Sequence, residues 1–154
     1  MEIETQQERF KLVSAVHLIL IRNGEILLLR RFNTGYRDGE YSVVAGHLDG
    51  GEQARVAMSR EAEEEAQIKL DPNELELAHI MHRNSKEERL DFFFVAKAWE
   101  GTPAIMEPDK CDELKWFPLN KLPDNMVPYV RKAVEHYSNG QIYSEFGWIR
   151  PDEE

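Results

Sequence analysis

The chain has a single cysteine, Cys111, so no disulfide can form within it, and a disulfide-stapled scaffold is excluded. A lone thiol fits a reducing compartment. Long apolar runs are missing as well, since no segment approaches the roughly 20 residues that span a bilayer as a helix. The opening stretch from Met1 to Arg9 is polar and acidic, without the basic start and apolar run of a signal peptide. Together these absences make the cytoplasm the expected location and exclude a membrane partner. Positive charge is scarce too. Lys and Arg number 19 against 29 Asp and Glu, a formal net charge of −10, which argues against a nucleic-acid polymer as partner. Small phosphate anions are not excluded, because a bound divalent cation reverses the local sign. No repeat, linker or low-complexity tract interrupts the chain.

What is present is enough for one core. At 154 residues and 42% apolar content, the expectation is a single domain over 1–154, with its core at about 12–138. Residues 12–21 are rich in β-branched side chains and read as a buried strand. Asn23-Gly24 is a hairpin turn leading into a second strand at 25–31. A loop at 33–40, a short strand at 41–45, a glycine loop from Gly46 to Gly51 and a helix at 53–66 follow, and Asp71-Pro72-Asn73 closes that unit. Further strands are expected at 75–82, 90–99 and 113–117, and a helix from Met126 to His136 with Pro128 in its first turn. The tail 141–154 carries Tyr143, Phe146 and Trp148 and is expected to dock on the domain. This is a mixed α/β (α+β) pattern.

The helix at 53–66 is the most informative segment. With about 100° per residue, Glu61, Glu64 and Glu65 fall within an arc of about 100°, while Glu63 points roughly the other way. Like charges this close repel, and a cation is the natural compensation. An acidic run alone reads as a solvated helix face. The glycines Gly46, Gly50 and Gly51 ahead of it, and Arg60 beside Glu61, point instead to a site where backbone and arginine meet a ligand.

Gly46, five residues, Glu52, seven residues, Arg60-Glu61-Ala62, then Glu64-Glu65 and Ile68 resemble the Nudix box, with Gln67 where that pattern has glycine. A glycine there suits a left-handed residue ending the helix. Gln67 implies either a longer helix or a left-handed glutamine at a cost of about 1 kcal/mol. The resemblance covers most of 12–138 and implies the family's fold, an α/β/α sandwich around a mixed sheet.

It also implies a hydrolase of a nucleoside diphosphate linked to another group, dependent on Mg²⁺ or Mn²⁺. On that resemblance Glu64 and Glu65 are the principal metal ligands, Glu61 is a third ligand or a water-orienting base, and the carbonyl of Gly46 is an extra ligand. Arg60 belongs to the catalytic group, and Glu52 orients the loop and Arg60. Trp99-Glu100-Gly101-Thr102-Pro103 resembles a MutT-like segment with an acid further on, which makes Glu107 the candidate base. Arg31 and Asn125 stand where similar proteins contact a phosphate and a purine edge. The substrates implied are a nucleotide, such as an ordinary or oxidised (d)NTP, a nucleotide sugar, a dinucleotide or another small diphosphate, and a homodimer is a candidate assembly. A non-catalytic nucleotide-sensing module is the competing reading, which intact Arg60, Glu61, Glu64 and Glu65 oppose. Among the histidines, His17 reads as an interior residue and His47 as the one near substrate.

Overall fold

The computed structural model describes residues 8–149. Its strands are β1 (Val13–Arg22), β2 (Glu25–Arg31), β3 (Tyr41–Ser42), β4 (Ala45–His47), β5 (Glu76–Asn84), β6 (Glu88–Ala96), β7 (Cys111–Pro118) and β8 (Tyr143–Phe146). The helices are α1 (Ala54–Ala66) and α2 (Pro128–Ser138). One 8-stranded sheet runs in the order β3-β2-β1-β6-β5-β8, with β4 on β1 and β7 on β2. The β1–β6 and β5–β8 pairs are parallel and the others antiparallel, so the sheet is mixed as expected.

The central strand β1 is apolar on both faces because both faces are covered. Val16, Leu18 and Leu20 pack with Ala57, Met58, Ala62 and Ala66 of α1. Ile19 points the other way, with Phe93 and Val95 of β6, against Val130, Ala133 and Val134 of α2. Each helix thus buries one stripe at three- and four-residue spacing against its own face of the sheet. The alanines of α1 let its backbone approach closely, which brings its acidic residues to the sheet edge.

Several boundaries differ from the expectation. Gly46 lies in β4, not in a loop: the chain crosses from β2 to β1 through buried Val43 and Val44, and pairing then resumes as Val16 opposite Gly46. β6 ends at Ala96, and exposed Lys97 and Ala98 turn away. α2 begins at Pro128, a residue suited to a first helical position, after buried Met126 and Val127. The tail docks as β8, pairing Ile80 to Arg83 with Tyr143 to Phe146, while 150–154 lie outside the described residues. Among the described residues no helix is long and apolar enough to cross a membrane.

Candidate active site

α1 ends at Ala66, and Gln67 is left-handed (φ 59°, ψ 32°), with its N–H on the carbonyls of Ala62 and Glu63. Of the two alternatives for Gln67, the strained cap is the one adopted. The last turn of α1 is further tied to the loop that follows β6. Ala104 N–H donates to the Ala66 carbonyl (2.9 Å) and Met106 N–H to that of Glu65 (3.4 Å). Gly101 (φ 93°) passes so near that a Cβ would stand 3.0 Å from the Gln67 carbonyl oxygen. This contact delivers Glu107 to the end of α1 that carries Glu65.

Along α1, Glu63 and Glu64 are exposed while Glu61 and Glu65 are partly covered by the sheet edge. Gly46 is the point of closest approach, for a Cβ there would overlap the Glu61 carboxyl group. The backbone register of β4 fixes which groups face α1. Leu18 N–H donates to Val44 (2.9 Å) and Leu48 N–H to Ser14 (2.9 Å). Hydrogen-bonded pairs recur at every second residue, so Gly46 turns its carbonyl and N–H toward Val16. Ala45 turns its own outward, and its N–H donates to Glu65 Oε2 (3.2 Å).

Arg60 gathers the other acids. It donates to Glu52 Oε1 at 2.7 Å, Glu61 Oε1 at 3.0 Å and Glu64 Oε2 at 3.4 Å, and Asp49 lies 3.8 Å away. Arg60 holds the Glu52 carboxyl below its usual range, while Glu52 in turn raises Arg60. Glu65 is the acid beyond its reach. Burial, then the charges of Glu61, Glu107 and Glu64, push it up to about 8 against the hydrogen bond from Ala45. Burial also raises Glu61, opposed by Arg60. With Arg60 drawn in among the acids, no three acidic, histidine or cysteine side chains among the described residues close around one point.

Glu107 is half-buried and paired with Lys110 (3.3 Å). Asp112 and Glu113 are instead tied to Arg30 (2.8 and 3.2 Å), and Glu113 also accepts from Tyr41. Arg31 and Asn125 are not among the carboxylates. Arg31 Nε donates to the Tyr36 carbonyl (2.7 Å), its Nη2 to Thr34 Oγ1 (3.0 Å), and its guanidinium lies 5.2 Å from the Tyr36 ring centre. Asn125 donates to the Gly39 carbonyl (2.9 Å) and accepts from Tyr41 N–H through its own backbone (2.8 Å). Both residues therefore brace the 32–40 loop. Phe32 and Tyr36 on that loop are exposed, whereas Tyr41 is buried against Phe117.

His17 is interior, held by the Phe92 carbonyl and Tyr129 hydroxyl (3.3 and 3.0 Å), and burial lowers it to about 4. His47 is exposed beside Gly46. The Cys111 thiol donates to the Glu113 carbonyl and is raised by burial, which suits a packed residue. The Ala45 amide and the cluster of Arg83, Asp91, Arg89 and Tyr129 around His17 were outside the residues singled out by sequence. No local signal marks the first, which depends on the β4 register, whereas charged letters inside an apolar strand, Asp91 before Phe92, signal the second.

A family model for the NUDIX domain matches residues 11–137. The chain is 29% identical over 143 residues to a protein of Pseudomonas entomophila named NAD-capped RNA hydrolase NudC, covering 90% of this chain and 48% of that one. It thus spans about half the length of the curated relatives it matches. Among solved structures, a MutT NUDIX hydrolase from Burkholderia pseudomallei aligns with TM-score 0.75 at 28% identity, over 82% of this chain and 98% of that one. A MutT protein from Methanosarcina mazei Go1, 19% identical, shares the fold with TM-score 0.73 over 86% of this chain and 97% of its own.

Proposed function

The chain belongs to the Nudix hydrolase family, and from that premise we propose that it cleaves a diphosphate linkage in a nucleotide with the carboxylates of α1. The observation that carries this reading is the packing of Glu61 and Glu65 against the outer edge of β4, with Glu64 beside them under Arg60. Oxygen donors of this kind suit Mg²⁺ or Mn²⁺. Glu61, Glu64 and Glu65 would hold the ion. The ladder favours Ala45 over Gly46 as the backbone donor, because the Gly46 carbonyl is directed at Val16. When bound, such an ion neutralises phosphate charge and lowers the pKa of water.

The protein's own groups have separable tasks. Glu52 anchors Arg60, and Arg60 sets the positions of Glu61 and Glu64. Glu65, with a carboxyl raised to about 8, keeps a proton at neutral pH that a bound cation would displace. Glu107 is the candidate to take the proton of the attacking water, since its loop is pinned to the end of α1. Arg31 and Asn125 shape the 32–40 loop, whose exposed Tyr36 and Phe32 offer faces on which a base stacks. A compact nucleotide, such as an ordinary or oxidised (d)NTP, is the favoured substrate. The name of the Pseudomonas relatives supports a second substrate, a dinucleotide diphosphate, free or on an RNA end.

The test is a screen of nucleotides, nucleotide sugars, dinucleotides and capped RNA with Mg²⁺ or Mn²⁺, reading phosphate, pyrophosphate and monophosphate release. Turnover that Glu64→Gln removes supports the assignment. Tight nucleotide binding without turnover across the panel makes the protein a sensor module instead.

A further inference from the structure

The sheet face that carries α2 holds charges that the carboxylate site does not use. Register places His47, Ala15, Asp91 and Met81 side by side across β4, β1, β6 and β5. Arg89 lies two residues before Asp91 on the same strand face, opposite Val13 on one side and Arg83 on the other. Arg83 and Asp91 satisfy each other: Arg83 Nε donates to Asp91 Oδ2 at 2.7 Å, and the guanidinium lies 3.7 Å from the Tyr129 ring centre. Both are buried. The second Asp91 oxygen has no hydrogen-bond partner among the described residues and stands 3.9 Å from His17 Nε2. The Phe92 carbonyl can only accept, so in neutral His17 the proton is on Nδ1 and Nε2 receives the Tyr129 hydroxyl.

Arg89 is the cation left over. One Nη bonds Glu87 of the β5–β6 turn at 3.0 Å, an acid with a side chain 53% exposed and a correspondingly weak hold in water. The other lies 3.3 Å from His47 Nε2, a ring nitrogen and not a carboxylate. Ala15, nearly buried and small, separates their strands and leaves room for the guanidinium to cross.

Strand alternation sets this pair and the carboxylates on opposite sides of the short strand β4. Gly46 presents its missing side chain to Glu61 on the α1 side, so His47, the next residue, faces the α2 side. A string of phosphoryl groups crossing the edge of β4 meets carboxylates on one side and Arg89 on the other. We propose that Arg89, aimed by His47, binds a phosphoryl group of the substrate lying beyond those that the α1 carboxylates handle. The planar guanidinium presents paired N–H donors to two phosphoryl oxygens, and in a protein of charge −10 it is a local exception to the repulsion of anions. This inference rests on the diphosphate-hydrolase reading for its ligand, and its test needs neither turnover nor metal.

The full chain in EDTA is titrated with inorganic pyrophosphate, with ADP and with adenosine, following backbone and arginine Nε resonances by NMR. Saturable shifts at His47 and Arg89 with pyrophosphate and ADP, absent with adenosine, are expected. Arg89→Gln should weaken ADP about ten-fold or more, and Arg89→Lys by less, because it keeps the charge and loses the fork. Arg22→Gln, which removes an equal charge from the arginine over Trp116, should leave ADP affinity unchanged. Equal ADP affinity in wild type and Arg89→Gln, or shifts confined to other residues, overturns the proposal without touching the hydrolase reading. Conversely, specific binding at Arg89 by a protein that cleaves no diphosphate removes the hydrolase reading and leaves the site.

Discussion

Gly46 and Glu61 compete for one space: the carboxyl group of Glu61 occupies the position that a Cβ on Gly46 would fill. Gly46 is not among the residues with positive φ, so an alanine meets no backbone strain there, and its effect isolates the side-chain collision. Gly46→Ala should displace Glu61 and lower kcat/KM about 100-fold, with a loss of roughly 1–3 kcal/mol in urea unfolding. An alanine variant with wild-type kcat/KM would show that the placement of Glu61 does not matter to turnover.

Glu65 predicts how the metal-free protein responds to alkali. Its carboxyl is raised in the fold to about 8 from an ordinary 4.5, so between these values the folded chain keeps a proton that the unfolded chain has lost. Stability in EDTA therefore falls as pH rises through that window. Glu65→Gln should flatten the slope and gain roughly 2–4 kcal/mol at pH 8 by urea melts, while lowering turnover at least about 100-fold. A variant with the wild-type pH slope would assign the slope to another group.

His17 should act with the opposite sign at lower pH. Its folded value, about 4, is below the ordinary 6.5, so from 6.5 downward the unfolded chain binds a proton that the folded chain refuses. The His17 contribution to stability is complete above about pH 6.5 and declines toward pH 4, by on the order of 2–3 kcal/mol. His17→Gln keeps polar partners for Phe92 and Tyr129 without the titration. The difference between variant and wild type, which cancels the Glu65 contribution, should vary with pH only between those values.

Gln67 is a place to gain stability. Its left-handed conformation suits glycine, so Gln67→Gly should raise the unfolding free energy by about 1 kcal/mol and leave kcat/KM unchanged. Loss of activity in that variant would mean that the Gln67 side chain has a role beyond the helix end.

Much of this was legible in the letters, for identifiable reasons. The spacing of Glu61, Glu64 and Glu65 is a local property of a helix, and the apolar runs of β1 and β6 mark buried strands at once. Long-range register was not legible. Nothing local says that Gly46 pairs with Val16, so a glycine-rich stretch reads as a loop, and the outward turn of the Ala45 amide stays hidden. Tyr143 to Phe146 is a strand because β5 offers it an edge, and alone that run is too short to declare itself. Asn125 before a helix suggests a cap, yet its side chain answers Gly39, 86 residues away along the chain. The charged turn before β6 likewise gave no sign that Arg89 reaches His47.

Arg60 touches Glu52, Glu61 and Glu64 together. The acidic helix face thus carries its own counter-ion on a flexible stem, and taking up the proposed metal would be an exchange of cations, not the filling of a bare anionic hole. Glu61 and Glu64 would exchange the guanidinium for such an ion, while Glu52 would keep the guanidinium close by. Without the ion, Arg60 is in place to offset the repulsion between Glu61 and Glu64. Removal of such an ion should therefore be reversible without refolding, and Glu65, outside the reach of Arg60, would be the one of its three ligands left without a replacement cation.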